Sequence, residues 1–386
     1  MKGILRVANY EIKQLFSDHS LILTFLLAPI LYAFFLGSIY INKDIEEVPI
    51  AVFDLDNSSS SRELIRALDA TQQIQISEYL TSFEQGVDEI NKLNVQGFIY
   101  FPADFEAQLL SMKGTDLAVY LNTTQFLPSN NPNKDLQKVL ITAGAGIRLK
   151  YYMAHGVNPE NAMEIVMPLE PDVRGIANPL NTYGGFLLPG LFILILHQTL
   201  LFGIGESFTK DRQKKALPEI LSLVNGRIYK YFIGKLGFYM LLYFAYFLLF
   251  LTTIFPIFEL NVHGSWDSML IIAFAMSLAV LMFGVFISSF FRTQVGYLEV
   301  IAFSSYPIFL LSGFSWPFQA MPVWVQYLAQ FSPMTPFVQA FTRVLELGAD
   351  WEHVALNVIH LILLFILYGF AALFRWSRIA NNQLRA

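Results

Sequence analysis

Ser268–Phe291 reads SMLIIAFAMSLAVLMFGVFISSFF, a run of 24 residues without one charge. A helix of about 20 such residues crosses a hydrocarbon core about 30 Å thick. Arg292-Thr293-Gln294 follows as a short turn, and Val295–Gly313 is apolar again. Working outward, four more stretches of this kind occur at Leu21–Ile41, Tyr183–Gly205, Phe232–Phe258 and Val354–Phe374. Composition agrees with them. Only 14% of the 386 residues are charged and 55% are hydrophobic, where a soluble domain carries about 25% charge. The expected fold is a membrane all-α bundle of six transmembrane helices. The chain has no cysteine, which excludes disulfides and thiolate chemistry.

Charge sets the orientation. With the N-terminus inside, the inner segments hold 14 of the 25 basic residues against six acids, and the short outer loop Glu259–Asp267 has no Lys or Arg. The positive-inside rule therefore places both termini in the cytoplasm. The first span is expected to be retained and not removed as a signal peptide. It is long, has no A-x-A site, and follows about 20 residues of its own pattern. In residues 1–20, Ile4, Leu5, Ala8, Ile12, Leu15 and Phe16 recur at helical spacing between Lys2, Arg6, Asn9 and Lys13. That predicts an amphipathic helix on the inner leaflet.

Between the first span (21–41) and the second, residues 42–182 change character. β-type runs at Val48–Asp54, Ile74–Tyr79, Val95–Phe101 and Leu117–Leu121 alternate with helical runs at Ser61–Ala70, Phe83–Lys92 and Ala103–Met112. Such alternation predicts an α/β layer, here an inserted extracytoplasmic domain. Residues 183–386 hold the remaining five spans.

Several chemistries are excluded. No G-x-x-x-x-G-K-[ST] occurs: the only Gly-Lys pair, Gly234-Lys235, is followed by Leu236, and Gly203-Ile204-Gly205 ends a span. ATP is thus not expected on this chain. No H-E-x-x-H or G-x-S-x-G occurs, and His353 and His360, seven apart, read as packing or interface polarity rather than metal ligands. An acidic outer domain argues against nucleic acid. Within the spans, the polar groups are His197, Gln198 and Thr199 in the second, and Glu299, Ser304, Ser305 and Tyr306 in the fifth. Intramembrane polar groups face a protein interior or a cavity. For Glu299 the expected arrangement is an ion pair with Arg292 or Lys235. In the connector 206–235, Leu217, Ile220, Leu221 and Val224 are spaced as a short amphipathic helix between Pro218 and Asn225-Gly226. The pattern fits either a docking helix or a plain basic loop.

Glu219 followed by Gly234-Lys235 resembles the cytoplasmic loop of ABC-2-type transporter permeases, although Ala216-Leu217-Pro218 and Val224-Asn225 depart from that family's pattern. Leu311–Pro317 (LSGFSWP), Met321-Pro322 and Ser332–Pro336 (SPMTP) resemble its signature between the last two spans. Val52–Ser58 (VFDLDNS) with Ser61–Leu64 (SREL), and Phe101–Phe105 (FPADF), resemble the periplasmic domain of its large-loop bacterial exporters. The resemblance implies an exporter permease of the inner membrane that dimerises with an identical or sister chain. It implies separate ATPase subunits carrying ATP and Mg, docked through Arg212, Glu219, Leu221, Asn225 and Arg227. His197, Gln198, Ser304, Ser305 and Tyr306 would line the path. Gly313, Pro317, Pro322, Pro333 and Pro336 would break the chain into re-entrant helices over 314–345. Large-loop members are also associated with a periplasmic membrane-fusion adaptor and an outer-membrane channel. An ion-coupled transporter and a membrane receptor or mechanical relay are the rival readings.

Overall fold

The computed structural model describes all residues except Met1, Lys43, Lys113, 170–173, 179–181, Asn261 and Ala386, and the side chains of Ser20, Thr24 and Arg385. The end of the outer domain expected over 42–182 therefore lies partly outside the described residues, as does the Arg385 side chain. The chain divides into two compact units, Asp44–Val173 and the combined segments Met1–Lys43 and Arg174–Ala386.

Helix α1 (Lys2–Ser17) opens the larger unit. Its buried residues are Val7, Glu11 and Leu15, which at four-residue spacing share one face. Leu5, Ile12 and Phe16 are exposed. The helix is where periodicity predicts it, but the face it turns to the protein is centred on an acid. The next apolar stretch forms α2 (His19–Ile22), a π turn (Leu23–Leu27) and α3 (Ala28–Ile39). Pro29 explains the widened turn, because it has no N–H for the carbonyl of Phe25. Tyr246 fills the gap, donating its hydroxyl to the Phe25 and Leu26 carbonyls at 2.6 and 3.0 Å.

The smaller unit is an α/β layer. Its strands are β1 (Val48–Asp54), β2 (Ile74–Tyr79), β3 (Gly97–Phe101) and β4 (Ala118–Leu121), in the order β2-β1-β3-β4. β1 is parallel to β2 and β3, and β4 closes the sheet antiparallel to β3. Alternate β1 side chains feed two cores. Val48, Ile50 and Val52 pack with Leu64, Ile65 and Leu68 of α4 (Ser59–Asp69), while Ala51 and Phe53 meet Leu80, Val95 and Phe98. Ser58 caps α4 by accepting from Ser61 N, and Ser82 caps α5 (Phe83–Asn91) by accepting from Gln85 N. α6 (Phe105–Leu110) lies between β3 and β4, and α7 (Phe126–Ala154) and α8 (Pro159–Val166) follow the last strand.

The larger unit resumes with α9 (Tyr183–Gln213), capped by Thr182, and the short α10 (Leu217–Ser222). Then come α11 (Ile228–Leu249), a second π turn (Phe250–Ile254) and α12 (Phe255–Ile257). α13 (Trp266–Ser288), α14 (Gln294–Leu311) and α17 (Trp351–Arg385) are the other long apolar helices. Among the described residues, five helices are long and apolar enough to cross a membrane, and Phe25–Ile39 is a shorter apolar helix. The protein is a mostly helical, multi-pass membrane protein.

Between α14 and α17 the chain is broken. Gly313 turns in the left-handed region (φ 87°), Pro317 opens a 3-10 turn (Phe318–Ala320), and Pro322 starts α15 (Val323–Ala329). Pro333 and Pro336 lie at the start of α16 (Met334–Leu347). The two short helices differ. α16 is buried along Phe337, Val338, Phe341 and Val344, whereas α15 exposes Val323, Trp324, Tyr327 and Leu328, a composition suited to a membrane–water interface. The carbonyls freed after α15 are satisfied from α17: Tyr368 donates to Phe331 O at 2.6 Å, and His360 Nε2 lies 2.9 Å from Gln330 O. His360 thus completes a broken backbone in an apolar setting, where an unpaired carbonyl is costly.

Candidate functional site

Two polar regions occur in the helical unit. The first gathers at the end of the bundle that carries α10. Lys235, about two turns into α11, is fully buried, and so is Asp211 near the end of α9. Its ammonium pairs with Glu11 Oε1 of α1 at 2.6 Å and with Asp211 Oδ2. Ser207 ties the group together. Its hydroxyl donates to Glu11 Oε2 at 2.7 Å and accepts from Lys235 Nζ at 2.6 Å. Tyr231 donates to Asp211 Oδ2 at 2.7 Å, and the Phe208 and Tyr231 rings face the ammonium, each centroid 5.2 Å from Nζ. Beside the cluster, burial and then the Asp211 charge push the Tyr10 phenol above its ordinary value.

Gly234 makes this approach possible. A Cβ there would lie 2.7 Å from Val7 Cβ and 2.9 Å from the Ile4 carbonyl of α1. Both halves of the Gly234-Lys235 pair are therefore engaged by the N-terminal helix. Glu11 and Asp211 were not singled out from the sequence. The only signal was an acid at position 11 on the face shared with Val7 and Leu15.

The same end of α9 is held from other sides. Lys210 pairs with Asp18 at 2.9 Å. Arg212 donates to the Ser289 and Phe291 carbonyls at 2.8 and 2.7 Å, filling acceptors that the end of α13 leaves open. Gln294 Nε2 donates to Glu206 at 3.2 Å, and Gln383 Nε2 to the Arg212 carbonyl at 3.0 Å.

Within 206–235, α10 is anchored by buried Leu217, Ile220, Leu221 and Val224. Gly226 N closes its end on Leu221 O at 2.8 Å, with Asn225 and Gly226 both at positive φ. Of the residues the resemblance assigns to docking, Glu219, Asn225 and Arg227 are exposed, while Leu221 points into the bundle and Arg212 is half-buried against α13. The chain thus presents a small polar face on a well-anchored turn.

The second region lies along α9 and α14, which run antiparallel. Tyr297 donates to Leu201 O at 2.7 Å, and Gly205 lies under its ring. At the far end Gly190 lies against Phe314. That register puts His197 and Gln198 at the level of Ser304 and Ser305. His197 is fully buried and Gln198 nearly so, and none of their side-chain nitrogen and oxygen atoms has a hydrogen-bond partner among the described residues. Ser304 and Ser305 instead donate to Ile301 O of their own helix, at 2.9 and 3.1 Å, and Tyr306 is exposed.

Glu299 differs from its expected arrangement. Lys235 is committed to Glu11 and Asp211, and no ion pair joins Glu299 to Arg292 among the described residues. Glu299 is exposed on α14, the least buried of the long helices. No group of three or more His, Asp or Glu suited to a metal occurs among the described residues.

A family profile described as ABC-2 family transporter protein matches residues 19–374. The chain belongs to the ABC-2 family of transporter proteins. It is similar to the probable multidrug ABC transporter permease YbhR of Escherichia coli K12, at 24% identity over 85% of this chain and 86% of the relative. It is also similar to the linearmycin resistance permease protein LnrN of Bacillus subtilis, at 23% identity over 96% and 98% of the two chains. ABC transporter G family member 20 of Dictyostelium discoideum aligns at 19% identity over 83% of this chain and 43% of its own length.

Proposed function

We propose that this chain is the membrane-spanning permease subunit of an ATP-driven exporter, working in the inner membrane as a dimer with an identical or sister chain. The family match over residues 19–374 carries this reading. In it, Phe25–Ile39 with the turn before it supplies a sixth span, both termini are cytoplasmic, and Asp44–Val173 stands in the periplasm. ATP and Mg belong to ATPase subunits on other chains, which dock on Glu219, Asn225 and Arg227. A periplasmic adaptor and an outer-membrane channel would extend the path outward. Relatives named for multidrug and linearmycin resistance favour a hydrophobic or amphipathic substrate. The path runs beside α9 and α14, where His197 and Gln198 offer polar atoms that no described residue engages.

Inside-out vesicles containing the chain and its ATPase test this with a fluorescent amphiphilic dye. ATP-dependent uptake is expected, insensitive to ionophores. His197→Leu is expected to leave expression and thermal stability unchanged or improved, since it removes an unpaired buried group whose desolvation costs about 1–3 kcal/mol, while reducing uptake. Uptake that needs no ATP and collapses with the ion gradient would contradict the proposal.

A further inference from the structure

The Glu11–Lys235–Asp211 cluster does more than hold two spans together. Asp211 and Lys235 lie on either side of α10, so their ion pair closes the base of the 211–235 segment. Tyr231 reinforces that closure from inside the same segment. Glu11 brings in an element distant in sequence, and it is only 2% exposed. Along α1 the contact continues in both directions. Gly3 lies against Leu223 and Val224, just after α10, and Val7 against Gly234. Asp18, beyond the end of α1, reaches Lys210. Helix α1 and Asp18 therefore meet this region just after α10, at Gly234 and Lys235, and at Lys210 beside the segment, and the one buried charge of α1 is the one that pairs with Lys235.

Charge explains why this contact is specific. Two carboxylates on one ammonium, out of water, hold their partners in a narrow set of geometries, because loss of either contact leaves a buried charge uncompensated. Apolar packing alone would allow α1 to slide. We propose that this cluster is a charge latch that fixes α1 to the α10 segment, so that α1, α10 and the adjoining ends of α9 and α11 move as one body. Glu11 is then a positioning residue of the coupling machinery. The inference rests on reading 206–235 as the segment that an ATPase pushes. Motion imposed at α10 would reach α2 and α3 through α1, as well as passing directly into α9.

The absence of cysteine makes the test clean. Spin labels on introduced cysteines at Asn9, exposed on α1, and Ser222, exposed on α10, report their separation in lipid nanodiscs, with and without the ATPase. Glu11→Gln keeps the side-chain shape and leaves the Lys235–Asp211 pair, so folding is expected to survive. The parent should give one narrow distance. Glu11→Gln should broaden it and lower substrate moved per ATP hydrolysed about tenfold, the scale of one charge-assisted hydrogen bond, with the ATPase still bound. Glu11→Asp, which keeps the charge, should restore both in part. An unchanged distance in Glu11→Gln would overturn the latch, whatever happens to transport. A broadened distance with normal transport per ATP would overturn the role of α1 in coupling. If the parent binds no ATPase, the coupling reading fails, and the distances still decide the latch.

Discussion

Lys235→Met is expected to destabilise the protein by about 3–5 kcal/mol, the cost of removing one partner from a buried ion pair. The methionine fills much the same volume, so lost packing is a small part of the effect. What remains is Glu11 and Asp211, both out of water, with the Ser207, Tyr231 and Tyr239 hydroxyls as hydrogen-bond partners. The measurement is unfolding of the detergent-extracted chain, followed by size-exclusion profile and by titration with a denaturing detergent. The contrast with a triple variant identifies the cause. Glu11→Leu, Asp211→Leu and Lys235→Met together remove every charge, and well-packed apolar replacements of buried ion pairs are often neutral or stabilising. The triple variant is therefore expected to be more stable than Lys235→Met alone. A single variant as stable as the parent would show that these carboxylates do not depend on Lys235.

Gly205→Ala is the second large effect. A Cβ at Gly205 would lie 1.9 Å from Tyr297 Cζ and 2.1 Å from its hydroxyl. The Tyr297 ring is fully buried and its hydroxyl bonded to Leu201 O, so it has no easy escape. Overpacking of this kind costs about 1–3 kcal/mol, and Tyr297→Ala about 3–5 kcal/mol by analogy with other buried aromatics. Combined, the two are expected to be clearly less damaging than their sum, because one methyl occupies space that the ring vacates. An additive double-mutant cycle would mean that α9 and α14 do not meet as described. In the proposed exporter this joint flanks the path, so Gly205→Ala should also slow transport in whatever fraction remains folded.

Local chemistry made much of the fold legible. The β1 and β2 limits coincide with the periodic runs, and Pro218 with Asn225-Gly226 frames α10. Apolar length located the long helices. Long-range pairing was not legible. Periodicity puts Glu11 on the face of Val7 and Leu15 but does not show its partner, Lys235, distant in the chain, which makes its burial tolerable. Gly234-Lys235 could be recognised as a pattern, but its physical reason, the approach of α1, appears only in three dimensions. Leu221 and Arg212 show the same limit. Position in a loop does not tell which side chains face outward, and the open carbonyls after α13 draw Arg212 inward. The resemblance places Ser304 and Ser305 on the path, yet both hydroxyls bond to Ile301 O on the preceding turn, an option open to any helical serine.

The most direct test of the permease reading is mild-detergent purification of the tagged chain from its own membranes, with co-purifying proteins identified by mass spectrometry. An ATP-binding-cassette subunit is expected in near-equal amount, and is expected to be lost in Glu219→Lys combined with Arg227→Glu while the chain itself remains folded, since both residues are exposed. A chain that emerges without any ATPase under conditions that preserve its fold would contradict the account.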